Sequence, residues 1–268
     1  PQTLAIMRKA GVRPWLQVEW HMRPAEWLGL VEYLAAPYDP ARDTPESKPW
    51  AFKRYSQGQQ KPWTEEFDKI YFELGNETWN WSFKPWVFPP LTDPSTGEKI
   101  ERGEAYGMIQ ELVHEVWKSS PYWESAELDT KVEWMIGGWS GSDYGHFAMK
   151  TSPSSDCQTI AAYNGGWDEG EGPPAADPPS FFSVLQQINQ TALPVVAANW
   201  NYRQMICEQT GRELYSLGTY EAGPGYAHPK IRSGKNMTAK DIENQEYTMK
   251  SLTAGTATLD SFLMRAYY

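Results

Sequence analysis

KIYFELGNETWNW, residues Lys69 to Trp81, is the stretch on which the reading of this chain turns. Ile70 to Leu74 is a compact run of β-branched, aromatic and apolar residues broken by one acid, and it predicts a short buried strand. Gly75 ends it. Asn76 and Glu77 follow at once, then Trp79 and Trp81, so an amide and a carboxylate stand at a strand end among flat aromatic rings, a composition suited to sugars. Along a continuous strand Tyr71, Glu73, Gly75 and Glu77 would share one face and Asn76 would point the other way. For Asn76 and Glu77 to reach one ligand the strand must end or bulge, and Gly75 permits that.

Acid/base chemistry at Glu77 needs a second carboxylate. The best candidate is Glu221, in LGTYEAGPG from Leu217 to Gly225, where a short apolar segment ends in an acid and Ala-Gly-Pro-Gly leaves room for a ligand to approach. The two acids are 144 residues apart (221 − 77). A (β/α)8 barrel of about 250 residues gives each βα unit roughly 30, so this spacing is three units plus insertions. Strands 4 and 7 of such a barrel are three units apart. The fold expected is therefore α/β, a TIM barrel.

Gly75-Asn76-Glu77 closing one strand and Tyr220-Glu221 closing another three units later resemble the superfamily of retaining glycoside hydrolases built on that barrel. LGNE, Leu74 to Glu77, is most similar to the α-L-arabinofuranosidase and β-xylosidase branches, and VEYLAAP, Val31 to Pro37, resembles a segment found just before the catalytic strand of the former. The resemblance runs from about Gly11 to Tyr226. It implies that Glu77 is the general acid/base and Glu221 the nucleophile, about 5 Å apart, with no cofactor. Asn76 would hydrogen-bond the sugar 2-hydroxyl and Tyr163 would donate to the nucleophile. Relatives commonly carry a histidine two residues before that tyrosine, where this chain has Ala161. The implied activity is double-displacement cleavage of a plant or algal polysaccharide or oligosaccharide; a secreted or periplasmic location is expected.

Composition agrees with a carbohydrate partner. Lys and Arg total 24 against 34 Asp and Glu, a formal charge of -10, and no basic run tracks phosphates, so nucleic acid is not expected and an anionic polymer would be repelled. Among 268 residues there are 14 Trp and 15 Tyr. About half of the rings are expected in the core; sugar contact is assigned to those beside loop glycines or acids, Trp79 and Trp139 above all. No apolar run reaches the roughly 18 residues of a membrane span. Cys157 and Cys207 have no metal spacing and are either one disulfide or two buried thiols. Asn76, Asn80, Asn189 and Asn236 each begin an Asn-x-Ser/Thr site, and a glycan on Asn76 would cover the proposed acid pair, which favours a bacterial source.

In chain order, Leu4 to Lys9 predicts a helix end and Arg13 to Trp20 barrel strand 3, with His21 at its mouth as a site-wall residue. A helix follows from Pro24 to about Ala36, then a polar loop from Asp39 to Pro62 leading to a helical turn. After strand 4 come a proline-rich loop, Pro85 to Gly103, and a helix over Glu104 to Ser119 whose apolar face reads as Met108, Leu112 and Val116, with Ile109 and Val113 beside them. Strand 5 is Val132 to Trp139 and strand 6 is Thr159 to Trp167. Two helical patterns broken near Pro194 precede strand 7, and Asn244 to Arg265 reads as its return helix. The chain thus reads as one catalytic domain over residues 1–268, a piece of a longer protein covering about strands 3 to 7.

Two rival readings stand beside this one. A non-catalytic glycan-binding protein on the same scaffold would use the aromatic rim without the acids. A metal-dependent hydrolase would use His21, His146 or His228, but no HxH or HExxH spacing is present. Asp168, Glu169 and Glu171 lack the spacing of an EF-hand and read as a solvated acidic loop.

Overall fold

The computed structural model describes residues 2–140, 143–164, 192–224 and 236–267. Its fold is mixed α/β around a five-stranded parallel sheet of order β1-β2-β5-β6-β7. In chain order the elements are α1 (Gln2–Ala10), β1 (Trp15–Val18), α2 (Pro24–Ala35), α3 (Pro49–Ser56), α4 (Trp63–Glu66) and β2 (Ile70–Leu74). There follow a 3-10 turn (Trp81–Trp86), a small hairpin of β3 (Leu91–Thr92) and β4 (Lys99–Ile100), α5 (Arg102–Lys118), α6 (Leu128–Lys131), β5 (Val132–Gly137) and α7 (Tyr144–Thr151). The chain continues through β6 (Cys157–Asn164), α8 (Leu193–Thr210), β7 (Ser216–Pro224), α9 (Ala239–Met249) and α10 (Leu252–Tyr267).

Chain contacts group into two compact units, one of Pro1–Trp139, Asp143–Thr159 and Thr210–Gly218, the other of Ser140–Ser142, Ile160–Gln209 and Thr219–Tyr268. The core of the first is aromatic. Phe72 on β2 meets Trp27 of α2, Trp117 of α5 and Trp134 of β5 with ring centroids 6.0, 4.8 and 4.8 Å away, so the even-numbered side chains of β2 face the helices. Tyr71 and Glu73 point to the other face, opposite Trp15 and Gln17 of β1 in register. Of the tryptophans, Trp27, Trp63, Trp117, Trp123 and Trp134 are buried. In the second unit one buried cluster is built on small residues, Ala192, Ala254 and Ala257, with Met264 packed against them, and Val196 and Ile206 are buried as well. There Arg265 reaches the carbonyl of Ala162 at 2.9 Å.

A described strand overlaps each of the five segments expected to form one, residues 165–167 of the fourth lying outside the described residues, but three features differ from the expectation. The stretch expected to be loop before α4 contains α3, a two-turn helix capped at its start by α2, whose own end it caps in return. Glu32 Oε1 accepts from the N–H groups of Trp50 and Ala51 at 2.9 and 3.0 Å, while the buried Arg54 guanidinium donates back to the carbonyls of Tyr33 and Ala36 at the end of α2. The return helix is broken into α9 and α10, and Ser251 Oγ accepts from Ala254 N–H at 3.1 Å at the start of the second.

The third difference is the face of α5. Met108 and Leu112 are exposed, and the buried line is Tyr106, Gln110, Val113, His114 and Trp117, with Gly103 and Gly107. The two glycines bring α5 onto α7, since a Cβ at either would overlap a carbonyl oxygen of that helix. Gln110 can be buried because its amide donates to Met135 O at 3.1 Å and Ser155 Oγ at 2.8 Å.

Candidate active site

The turn after β2 carries the candidate acid. Gly75 has φ +72° and Glu77 φ +45°, so the chain leaves the extended conformation at Gly75 and turns again at Glu77. A Cβ at Gly75 would meet Thr78 Cγ2 at 2.7 Å, so glycine serves both the positive φ and the close approach of the chain to itself. A non-glycine residue with positive φ costs on the order of 1 kcal/mol and is kept where the surroundings overdetermine it. Here they do. Asn80 donates to Glu77 Oε2 at 2.7 Å, its own N–H donates to Glu77 O at 2.7 Å, and its Oδ1 accepts from Ser82 N–H at 2.9 Å.

Arg102, the first residue of α5, holds the far side of this loop. Its Nε donates to Phe88 O at 2.9 Å, its Nη2 to Trp79 O at 3.0 Å and Thr78 O at 3.4 Å, and its guanidinium lies 4.5 Å from the centroid of the Trp81 ring. Thr78 is buried and accepts from Tyr144 OH at 3.2 Å. Neither Asn80 nor Arg102 was marked as a site residue by the sequence pattern. Asn80 stood out only as a sequon, and Arg102 lies at the junction of a loop and a helix with no motif around it.

Trp139 just beyond β5 stacks on Trp79 with centroids 5.5 Å apart and planes 21° off parallel. It leaves 46 % of its surface exposed, whereas the indole N–H of Trp79 is buried and has no acceptor among the described residues. Asn76 is half-buried in the bend between Gly75 and Glu77. His21 is exposed, with Nδ1 2.9 Å from Glu19 Oε1 and its ring stacked on Trp20 at 3.8 Å. Trp20 in turn stacks on Phe88 and donates to Trp86 O, so His21 is joined by packing to the segment that follows the Glu77 turn. The first unit therefore holds Glu77, Asn76, Trp79, Trp139 and His21. Tyr163 on β6, 45 % exposed, and Glu221 on β7, also exposed, belong to the second unit.

Glu73 is the group the sequence pattern left without a role. It is buried, its Oε2 accepts from Trp15 Nε1 at 2.9 Å and Gln17 Nε2 at 3.0 Å, and its Oε1 lies where a Cβ on Gly137 would be. One carboxyl thus ties β1 to β2 and packs onto the bare backbone of β5. Burial pushes its pKa up to about 7, against the opposing pull of the Gln17 and Trp15 hydrogen bonds. The consequence for stability has a definite sign. Below its usual value of 4.5 the group is neutral folded or unfolded; as pH rises to 7 the unfolded chain ionises first and folding loses stability; above 7 the loss is complete. The full effect is about 3 kcal/mol. Glu73→Gln is expected to be more stable than the parent by roughly that amount at pH 8 and equal to it at pH 4, read by urea unfolding.

The histidine and cysteine alternatives are answered in part. His146 Nδ1 is 2.6 Å from Tyr215 OH within the first unit. Cys157 and Cys207 are both buried thiols, and burial pushes Cys157 up to about 12. Asp168, Glu169, Glu171 and His228 lie outside the described residues.

Among solved structures the fold is similar to the GH51 α-L-arabinofuranosidase of Thermotoga petrophila RKU-1, with a TM-score of 0.51 and 13% sequence identity over 84% of this chain. The chain spans 37% of that structure's length, and at this identity the likeness is one of fold. No protein-family model matches the sequence, and no curated protein does.

Proposed function

We propose that this chain carries the catalytic centre of a retaining glycosidase on a (β/α)8 barrel, of which it supplies about strands 3 to 7, with Glu77 as acid/base and Glu221 as nucleophile. The observation that carries the reading is the Glu77 turn. A carboxylate is held by a positive-φ backbone at the C-terminal end of a parallel strand, beside a pair of stacked tryptophans, one of them open to solvent. In α/β enzymes ligands gather at the C-terminal ends of parallel strands, and Glu221 falls in the second half of β7. The fold likeness supports a glycosidase and a carbohydrate substrate.

Mechanistically, Glu221 would attack the anomeric carbon as a carboxylate while Glu77 protonates the departing oxygen. Glu77 would then take a proton from the water that hydrolyses the glycosyl-enzyme. Asn76, next to Glu77 in the turn, would hydrogen-bond the sugar 2-hydroxyl, and Tyr163 would donate to Glu221. The exposed face of Trp139 would stack on the apolar face of a sugar ring, with Trp79 stiffening it from behind. The arabinofuranosidase and xylosidase types remain the first substrates to try.

The test is a panel of chromogenic arabinofuranosides, xylosides, glucosides and galactosides, with the anomer first released identified by NMR. Retention on any member supports the proposal, and an inverted product removes the double displacement. With the substrate found, Trp139→Ala is expected to raise KM about 10-fold while kcat changes little, because a stacking platform binds ground and transition states alike. A fall confined to kcat would take Trp139 out of substrate binding.

A further inference from the structure

Away from this turn, α5 places three potential ligands on adjacent positions of its surface. Glu111, His114 and Glu115 follow the i, i+3, i+4 spacing that brings side chains together on a helix, and one ligand atom from each lies within 4.8 Å of the others. Two carboxylates at such spacing are common on solvated helices and imply nothing alone. The second observation is His114. Only 9% of it is accessible, its ring is wedged edge-on against Trp123 and Trp134, and its Nδ1 is buried with no hydrogen-bond partner among the described residues. The nearest acid, Glu115 Oε1, stands 3.7 Å from that nitrogen, beyond hydrogen-bond range.

The carboxylate on the other side is already oriented. Glu111 Oε2 accepts from Ser154 Oγ at 2.7 Å, Ser154 N–H at 3.2 Å and Ser152 Oγ at 3.2 Å, all on the connection from α7 to β6. Donors on one oxygen of a carboxylate are the outer support found behind metal-bound acids, and they leave the second oxygen available. Glu115 is exposed at the rim, shared with Lys118 at 3.7 Å, and is free to swing inward.

We propose that Glu111, His114 and Glu115 form a binding site for a borderline divalent cation of the zinc type, remote from the glycosidase reading and independent of it. The cation would bind His114 Nδ1, which has no hydrogen-bond partner among the described residues, and two carboxylate oxygens, with water completing a four-coordinate shell. An imidazole nitrogen among the ligands selects zinc, nickel or copper over magnesium and calcium, which prefer an all-oxygen set. Ligation would relieve the buried nitrogen and the repulsion of two acids one turn apart, so its effect is on the stability of α5.

The test is titration of the chelator-treated protein with zinc chloride, followed by calorimetry and by thermal unfolding. One equivalent is expected to bind, raising Tm by about 2–4 °C at ligand well above Kd, with chelator reversing the rise and magnesium at equal concentration giving none. Glu115→Gln, at an exposed position where folding is unaffected, is expected to weaken binding at least about 10-fold, and His114→Gln to abolish it, whereas His21→Gln leaves it unchanged. No zinc binding below about 1 mM, or binding that survives Glu115→Gln and His114→Gln, overturns the assignment.

Discussion

Glu221→Ala is expected to remove turnover of every glycoside the parent accepts, because without the nucleophile no glycosyl-enzyme forms whatever the leaving group. Glu77→Ala should behave differently. Loss of a general acid costs typically about 10²–10⁴-fold on substrates that need protonation, but a dinitrophenyl glycoside leaves without it and still charges Glu221. Hydrolysis of that intermediate then lacks its base and becomes rate-limiting, so added azide, which needs no deprotonation, is expected to restore rate and yield a glycosyl azide of retained configuration. Mass-spectrometric mapping of a trapped intermediate to Glu77 would exchange the two roles. Equal loss on activated and unactivated substrates in Glu77→Ala would remove Glu77 from acid/base chemistry. A distance between the two carboxyl groups above about 10 Å in a crystal structure of an inhibitor complex would dissolve the pair, since even inverting enzymes fall within that range.

The largest loss of stability is expected at Gly107. Replacing a mid-helix glycine with alanine ordinarily gains up to about 1 kcal/mol from propensity. In α5 the new Cβ would overlap the carbonyl oxygen of Ala148 and the hydroxyl of Thr151. The carbonyl is backbone inside α7 and cannot swing away, and Thr151 Oγ1 is itself held by Glu104 O at 2.8 Å. The two helices must separate, at a cost of roughly 1–3 kcal/mol or more for overpacking that exceeds the propensity gain. Gly107→Ala is therefore expected to lower stability by about 2 kcal/mol in denaturant melts. Gly97→Ala, whose Cβ meets nothing within 4 Å but whose φ is +74°, separates overlap from backbone strain. It should cost about 1 kcal/mol. A neutral or stabilised Gly107→Ala would mean that α5 and α7 do not pack as closely as described.

What could be read from residue order alone was whatever depends on a residue and its immediate neighbours. The run Ile70 to Leu74 is a strand and stops at Gly75, where φ is positive, because apolar β-branched and aromatic side chains favour the pleat and glycine alone turns without a Cβ penalty. Pro24 starts α2 for an equally local reason. Burial of polar groups is different, since it requires partners far along the chain. Met108 and Leu112 looked like the inner face of α5, yet Gln110 and His114 lie inside, the Gln110 amide N–H groups finding acceptors on β5 and the α7–β6 connection. Glu73 is buried only because Trp15 and Gln17, 58 and 56 residues earlier, donate to it, and Gly137 leaves room. Arg102 steadies the Glu77 turn across more than 20 residues, and α3 exists where the sequence read as loop because Glu32 caps it. A strand end and its acid were set by the sequence through backbone preference. Which polar side chains enter the interior was decided by the tertiary structure, because burying a hydrogen-bonding group costs least where the fold supplies its partner.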